Sequence, residues 1–207
     1  MNERRPCAAP ASRPDVSVVT VALQEAGKGK TDEARSLLER AIATAPNAPR
    51  ARIDLAAMQQ TSGDDAGAFS TLRAMGEAAP AALPLAAARL AQAASNSSQA
   101  PAALDLLTLS YEMSPSLDVL EAIVALTATG TGDNEQARTW YVKHLEREPS
   151  LVAAAKWISG EKLEHEQFHP QIQRALDHAV KPLTRYRCAA CGFEAKQHFW
   201  QCPGCQT

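Results

Sequence analysis

A period of about 34 residues runs through most of this 207-residue chain. Pro46, Pro80, Pro115 and Pro149 are spaced 34, 35 and 34 residues apart. Twelve residues before each stands an alanine, at Ala34, Ala68, Ala103 and Ala137, and twelve earlier again stand Ala22, Ala56, Ala91 and Ala125. Turn-forming residues fall between the two alanine sets: Gly29-Lys30-Thr31, Gly63-Asp64-Asp65, Asn96-Ser97-Ser98 and Gly132-Asp133-Asn134. Three registers in step over four units imply one supersecondary element repeated. Each unit reads as two helices that cross closely at their alanines, separated by the turn and closed by the proline.

The period and terminal proline resemble the tetratricopeptide repeat, with the aromatic positions of that pattern mostly replaced here by Val, Leu, Ile and Ala. The expected fold is all-α: a tetratricopeptide-repeat superhelix, or α-solenoid, with a small C-terminal rubredoxin-like or zinc-ribbon module. Helices are expected over 16–27, 31–44, 49–61, 65–78, 83–95, 99–113, 117–129 and 133–147. The second and third units, rich in alanine, are expected to be the loosest. Residues 1–14 form a disordered leader, 15–150 carry about four degenerate repeats, 151–184 supply capping helices (151–160 and 170–180) and a connector, and 185–207 form the ribbon. Stacked repeats curve and expose a concave face suited to peptides or proteins.

The most specific chemistry lies in Tyr186–Cys205. Two Cys-x-x-Cys pairs, Cys188/Cys191 and Cys202/Cys205, are separated by ten residues. Four thiolates on two tight knuckles form a tetrahedral sulfur cage that accepts one Zn²⁺ or one rubredoxin-type iron. Zinc is the favoured occupant and iron the alternative. Such a site has no open coordination position, so it points to a structural staple. About twenty residues cannot bury a core of their own, and the metal would supply most of their folding energy. Tyr186, Phe199 and Trp200 are costly to leave exposed, so the ribbon is expected to dock on the last helices, with Trp157 and the Ile172/Leu176 face as receivers.

Other features constrain function by what they lack. Aromatic residues make up 5% of the chain and net charge is −2, which favours close helix packing and gives no global signal for nucleic acid. No apolar run is long enough to cross a bilayer. Four of five cysteines are taken by the ribbon, leaving Cys7 in the leader, and a thiolate cage without a disulfide framework suits the cytoplasm. His165-Glu166-Gln167-Phe168-His169 matches H-E-x-x-H, with His178 a conceivable third ligand. Pro170 follows at once and opposes the continuous helix that this motif needs, so the match reads as accidental. His198 lies between the knuckles and reads as a neighbour of the site. Lys181, Arg185, Arg187 and Lys196 outnumber Glu194 around the ribbon, a pattern compatible with RNA, anionic lipid or an acidic protein. No phosphate-binding loop, nucleophile elbow or dinucleotide fingerprint is present.

Degenerate repeats, a capping helix, R-Y-R-C-x-x-C-G-F at Arg185–Phe193 and W-x-C-P-x-C at Trp200–Cys205 follow one another in a recognisable order. This order resembles the lipopolysaccharide assembly protein B family. The resemblance implies one metal on Cys188, Cys191, Cys202 and Cys205. It also implies a non-enzymatic adaptor at the cytoplasmic face of the inner membrane of a Gram-negative bacterium. Such an adaptor presents the lipid A pathway deacetylase to the membrane protease FtsH and so limits lipopolysaccharide synthesis, among other inner-membrane lipopolysaccharide factors. Family members usually begin with a membrane-spanning helix, carry more repeats and continue beyond the second knuckle, so this chain is expected to be a fragment or shortened relative without the anchor. The rival readings are a generic repeat–ribbon scaffold with another protein or RNA client, and an H-E-x-x-H metallohydrolase.

Overall fold

Glycine sits where the chain must reverse between paired helices. Gly29 and Gly63 adopt φ of 81° and 82°, a left-handed conformation that side-chain-bearing residues resist. Each lets the next amide reach back to a helix carbonyl, Lys30 N–H to Glu25 O and Asp64 N–H to Gln59 O, which closes the helix end. The third turn places Ser98 in the same conformation (φ 58°), with Gln99 N–H donating to Ala94 O. The computed structural model describes residues 14–131, 134–159, 169–181, 183 and 186–206.

The turns join α1 (Pro14–Gly27) to α2 (Thr31–Thr44), α3 (Pro49–Thr61) to α4 (Asp65–Ala78), and α5 (Ala87–Asn96) to α6 (Ala100–Met113). A fourth pair follows, α7 (Leu117–Thr131) and α8 (Asn134–Arg147), and then α9 (Leu151–Ser159) and α10 (His169–Val180). Helices pack within pairs and on to the next pair, α2 on α3, α4 on α5, α6 on α7 and α8 on α9, and the first helices of neighbouring pairs also meet, α5 on α7. The protein is a tetratricopeptide-type superhelix ending in a small ribbon. The leader as far as residue 13, and with it Cys7, lies outside the described residues.

The alanine registers form the seams in the first three units. Ala22, Ala34, Ala56, Ala68, Ala91 and Ala103 are all buried, so helix axes approach over side chains of a single methyl group. The fourth unit departs from this pattern: Ala125 is exposed and Ala137 half-buried, while Ala122, Ile123 and Leu126 fill the seam. Larger side chains there replace close backbone approach as the means of excluding water.

Two expectations change. The single helix expected over 83–95 is a 3-10 segment, Pro80–Ala86, followed by α5. Pro84 has no amide hydrogen to donate and biases Leu83 away from α geometry, so the α ladder starts only after it. Leu83 and Ala86 are nonetheless buried. Nor do the second and third units lack a core. The larger cluster of buried side chains runs from Ala56 to Leu126 through these units, with Phe69, Leu72, Met75, Leu90, Leu107 and Tyr111 between alanines. Abundant alanine thins each helix without opening gaps, and a few large residues per unit then suffice.

Tyr111 and His144, one repeat apart on α6 and α8, form a buried polar pair with 2.8 Å between hydroxyl oxygen and Nδ1. Trp140 packs edge-on against Tyr111 at 5.7 Å. On the outer side Glu112 accepts from Lys143 and Arg147, tying α6 to α8 again. At the end of the array α9 buries Val152, Ala153 and Ala155, whereas α10 packs on it without burying any residue of its own.

Candidate metal centre and the groove beside it

The ribbon is built on two short antiparallel strands, β1 (Tyr186–Arg187) and β2 (Glu194–Ala195), paired Tyr186 with Ala195 and Arg187 with Glu194. Between them the first knuckle closes through Cys188 N–H to Phe193 O (2.8 Å) and Gly192 N–H to Cys188 O (2.9 Å). Gly192 makes the reversal at φ 76°. The second knuckle repeats this plan. Gln206 N–H donates to Cys202 O at 2.8 Å, Gln206 takes φ 58°, and Gly204 N–H points at the Cys202 sulfur from 3.3 Å.

These turns bring the four Sγ atoms within 4.8 Å of one another, with Cys188 to Cys205 at 3.7 Å and Cys191 to Cys202 at 3.6 Å. A regular tetrahedron of metal–sulfur bonds of about 2.3 Å has edges of about 3.8 Å, so the cluster fits a four-coordinate thiolate metal. Its electrostatics lead to the same place. Amide hydrogens of Cys191 and Ala190 push the Cys188 thiol down. The amide of Phe193 lowers Cys191 as well, but the sulfurs of Cys205, Cys202 and Cys188 beside it push Cys191 up to about 12. Four sulfurs this close cannot all be thiolates until a cation offsets their repulsion.

His198 stands outside the sulfur cluster, packed against Trp200 at 4.7 Å and Tyr186 at 5.7 Å. Phe193 meets Phe199 at 6.5 Å. Among the described residues no other cluster of three or more His, Cys, Asp or Glu side chains has metal-binding geometry. Of the H-E-x-x-H match, residues 165–168 lie outside the described residues. His169 opens α10 and its Nε2 is 3.2 Å from Ile158 O.

The ribbon faces α9, the helix that carries Trp157, but meets other residues than the expected receivers. Tyr186 lines a cavity of about 440 Å³ with Leu85 of the 3-10 segment, Ala88 and Gln92 of α5, and Asp118 and Ala125 of α7. It lines a second cavity of about 500 Å³ with Asp118 and Glu121 of α7, Val152 and Lys156 of α9, Leu183 and Lys196. The ribbon therefore faces the first helices of the third and fourth pairs and α9. Trp157, Ile172 and Leu176 line neither cavity, and Ile172 is exposed. Sequence reasoning did not single out Asp118 or Glu121. Their signal was present: both lie in the first turns of α7, on the stripe that points away from the alanine seam.

Burial, and then the negative charge of Asp118, push the Tyr186 hydroxyl up. Burial, and then Glu121, likewise push the Asp118 carboxyl up. Glu121 is paired with Lys156 at 2.5 Å. Among the described residues Asp118 has no cation within 4.0 Å.

Comparison with known proteins agrees with this architecture. Residues 186–207 match the family model described as the rubredoxin metal binding domain of the zinc-ribbon type named for LapB. Lipopolysaccharide assembly protein B of Escherichia coli K12 is 27% identical over 79 residues, 36% of this chain, and the same holds for the O157:H7 protein. The matched segment spans about one fifth of that relative's length, 20%. Among solved structures, a MamA RS-1 double mutant superposes with a TM-score of 0.53 at 13% identity, covering 83% of this chain and 99% of that one. Another MamA gives 0.52 at 15% identity, covering 81% and 94%. At such identities these superpositions concern the fold alone.

Proposed function

We propose that this chain, a repeat-and-ribbon protein similar to lipopolysaccharide assembly protein B, is a non-enzymatic adaptor that regulates lipopolysaccharide synthesis through protein contacts. In this reading Cys188, Cys191, Cys202 and Cys205 hold one metal ion, with zinc favoured over iron. The metal supplies folding energy to the ribbon and no reactive position, because four thiolates leave none open. The adaptor presents the lipid A pathway deacetylase to the membrane protease FtsH at the cytoplasmic face of the inner membrane. The observation that carries the reading is the joining of a curved helical array to a ribbon that faces it across a groove. Both parts suit recognition, and among the described residues the one hydroxyl paired with a histidine, Tyr111 with His144, is buried in the core.

The test measures deacetylase levels in Gram-negative cells lacking their own adaptor, complemented with this chain carrying a fused membrane-spanning helix. A tether raises the effective concentration of the second contact, so the unfused chain should act more weakly. Cys188→Ser combined with Cys191→Ser should abolish the lowering of deacetylase, and Glu166→Ala should leave it intact. Unchanged deacetylase levels with the anchored wild type would overturn the adaptor reading. Loss of a chelator-sensitive peptide hydrolysis on Glu166→Ala would restore the hydrolase.

A further inference from the structure

The groove on the inner side of the array is wider than what enters it. Tyr186, Asp118 and Glu121 line both cavities, so the tyrosine ring is the boundary between two open volumes of about 440 and 500 Å³. The walls are chemically distinct. On one side Ala88 and Ala125 present single methyl groups, with the buried Ala91 and Ala122 beneath, leaving a flat apolar floor on which a ring or an extended chain can lie. Gln92 and Ser95 add groups able to pair with peptide amides. At the mouth stand Asp118 and Glu121, and Glu121 is already matched by Lys156. Asp118 makes no ion pair of its own among the described residues and shares only the field of that same Lys156. The ribbon supplies Tyr186 to both cavities and Lys196 to the rim of the second, beside Asp118 and Glu121. Tyr186 nevertheless remains 39% exposed. A ring seated this shallowly is held by few contacts and can be replaced by one that reaches further.

We propose that the groove between α5, α7 and α9 docks a partner-protein segment carrying an aromatic ring next to a lysine or arginine, and that Tyr186 with Lys196 occupies part of it in cis. The ribbon and the partner then compete for the same floor and the same carboxylate. This rests on the adaptor reading only in taking the inner face of the array as a protein-binding surface. The charge requirement comes from Asp118, and the ring requirement from the alanine floor and the residue that already lies there. An acidic or purely aliphatic segment satisfies neither.

The experiment uses the full chain and a dye-labelled peptide, Leu-Thr-Arg-Tyr-Arg-Ser-Ala-Ala, which copies 183–190 with serine in place of Cys188. Fluorescence anisotropy should show weak saturable binding to the wild type. Tyr186→Ala should bind it roughly fivefold tighter, whether the change undocks or unfolds the ribbon, because either event vacates the floor, whereas Tyr186→Phe should bind like the wild type. Asp118→Asn should bind roughly fivefold more weakly, and added salt should weaken binding to every variant that keeps Asp118. Removing an exposed carboxylate that makes no ion pair among the described residues does not threaten the fold, and a circular-dichroism melt checks this. Equal affinity in the wild type and Asp118→Asn overturns the proposal, as does equal affinity in the wild type and Tyr186→Ala. A version of the peptide with both arginines changed to glutamate that binds as well also overturns it. If deacetylase regulation fails while the peptide binds as described, the adaptor reading falls and this one stands. If regulation holds while the peptide fails, the reverse is true.

Discussion

Tyr111 and His144 show what a single polar contact does inside an array built mainly of alanine and leucine. Both side chains are buried and each is the other's partner, at 2.8 Å. Burial pushes the Tyr111 hydroxyl up, which favours its neutral, hydrogen-bonding form. Tyr111→Phe keeps the ring, its edge-on contact with Trp140 and its volume, but leaves the His144 ring nitrogen without that partner. An unsatisfied buried group costs about 1–3 kcal/mol, so chemical denaturation should show a loss of that order. A change within ~0.3 kcal/mol would mean that the pair is dispensable. The pair is not legible as a contact in the sequence, where aliphatic residues stand at most aromatic positions of the repeat. The available clue is separation. Tyr111 with His144 and Glu112 with Lys143 are 33 and 31 residues apart, close to one repeat, because stacking sets the equivalent helices α6 and α8 side by side.

At the scale of elements, legibility follows local chemistry. The helix ends at 31–44, 49–61 and 65–78 coincide with expectation because turn glycines and helix-starting residues are local signals. The break before α5 was missed because Pro84 lies one residue inside a segment that otherwise reads as helix. The judgement that alanine-rich units are loose failed for a different reason: tightness depends on the distance between axes, which a single helix does not reveal. A pair of substitutions separates a true seam from its sequence image. Ala56 of α3 is fully buried where α3 meets α4, so Ala56→Leu adds three carbons to a closed space and should cost about 1–3 kcal/mol. Ala125 occupies the corresponding register of the fourth unit but is exposed, so Ala125→Leu should change stability by no more than ~0.5 kcal/mol. Equal and large losses for the two would show that the alanine register, and not the observed packing, defines the seam.

For the whole molecule, the order of parts was legible and their mutual placement was not. Where a ribbon lands on a superhelix depends on the summed small rotations between units, and no residue pair encodes that sum. Trp157 and Ile172 were reasonable receivers by proximity along the chain, yet the curvature of the array offers the α5–α7–α9 groove instead. This placement makes metal and groove one system. Only two residues of each strand pair in the ribbon, so without a metal the knuckles have little to hold them. Stripping the metal with a chelator should unfold residues 186–206 and withdraw Tyr186 and Lys196 from the inner face. Amides of α7 and α9 should then exchange faster, as they lose a covering layer, while those of α1 to α4, which line neither cavity, should keep their protection. Adding zinc back should restore the slow exchange. Acceleration spread evenly over all helices would instead indicate that the array folds as one cooperative unit, and no change in α7 and α9 would show that the ribbon stands apart from the groove. The local pattern is the expected one, because nearest-neighbour packing carries stability along a repeat array and the cavities that the ribbon lines lie against α5, α7 and α9.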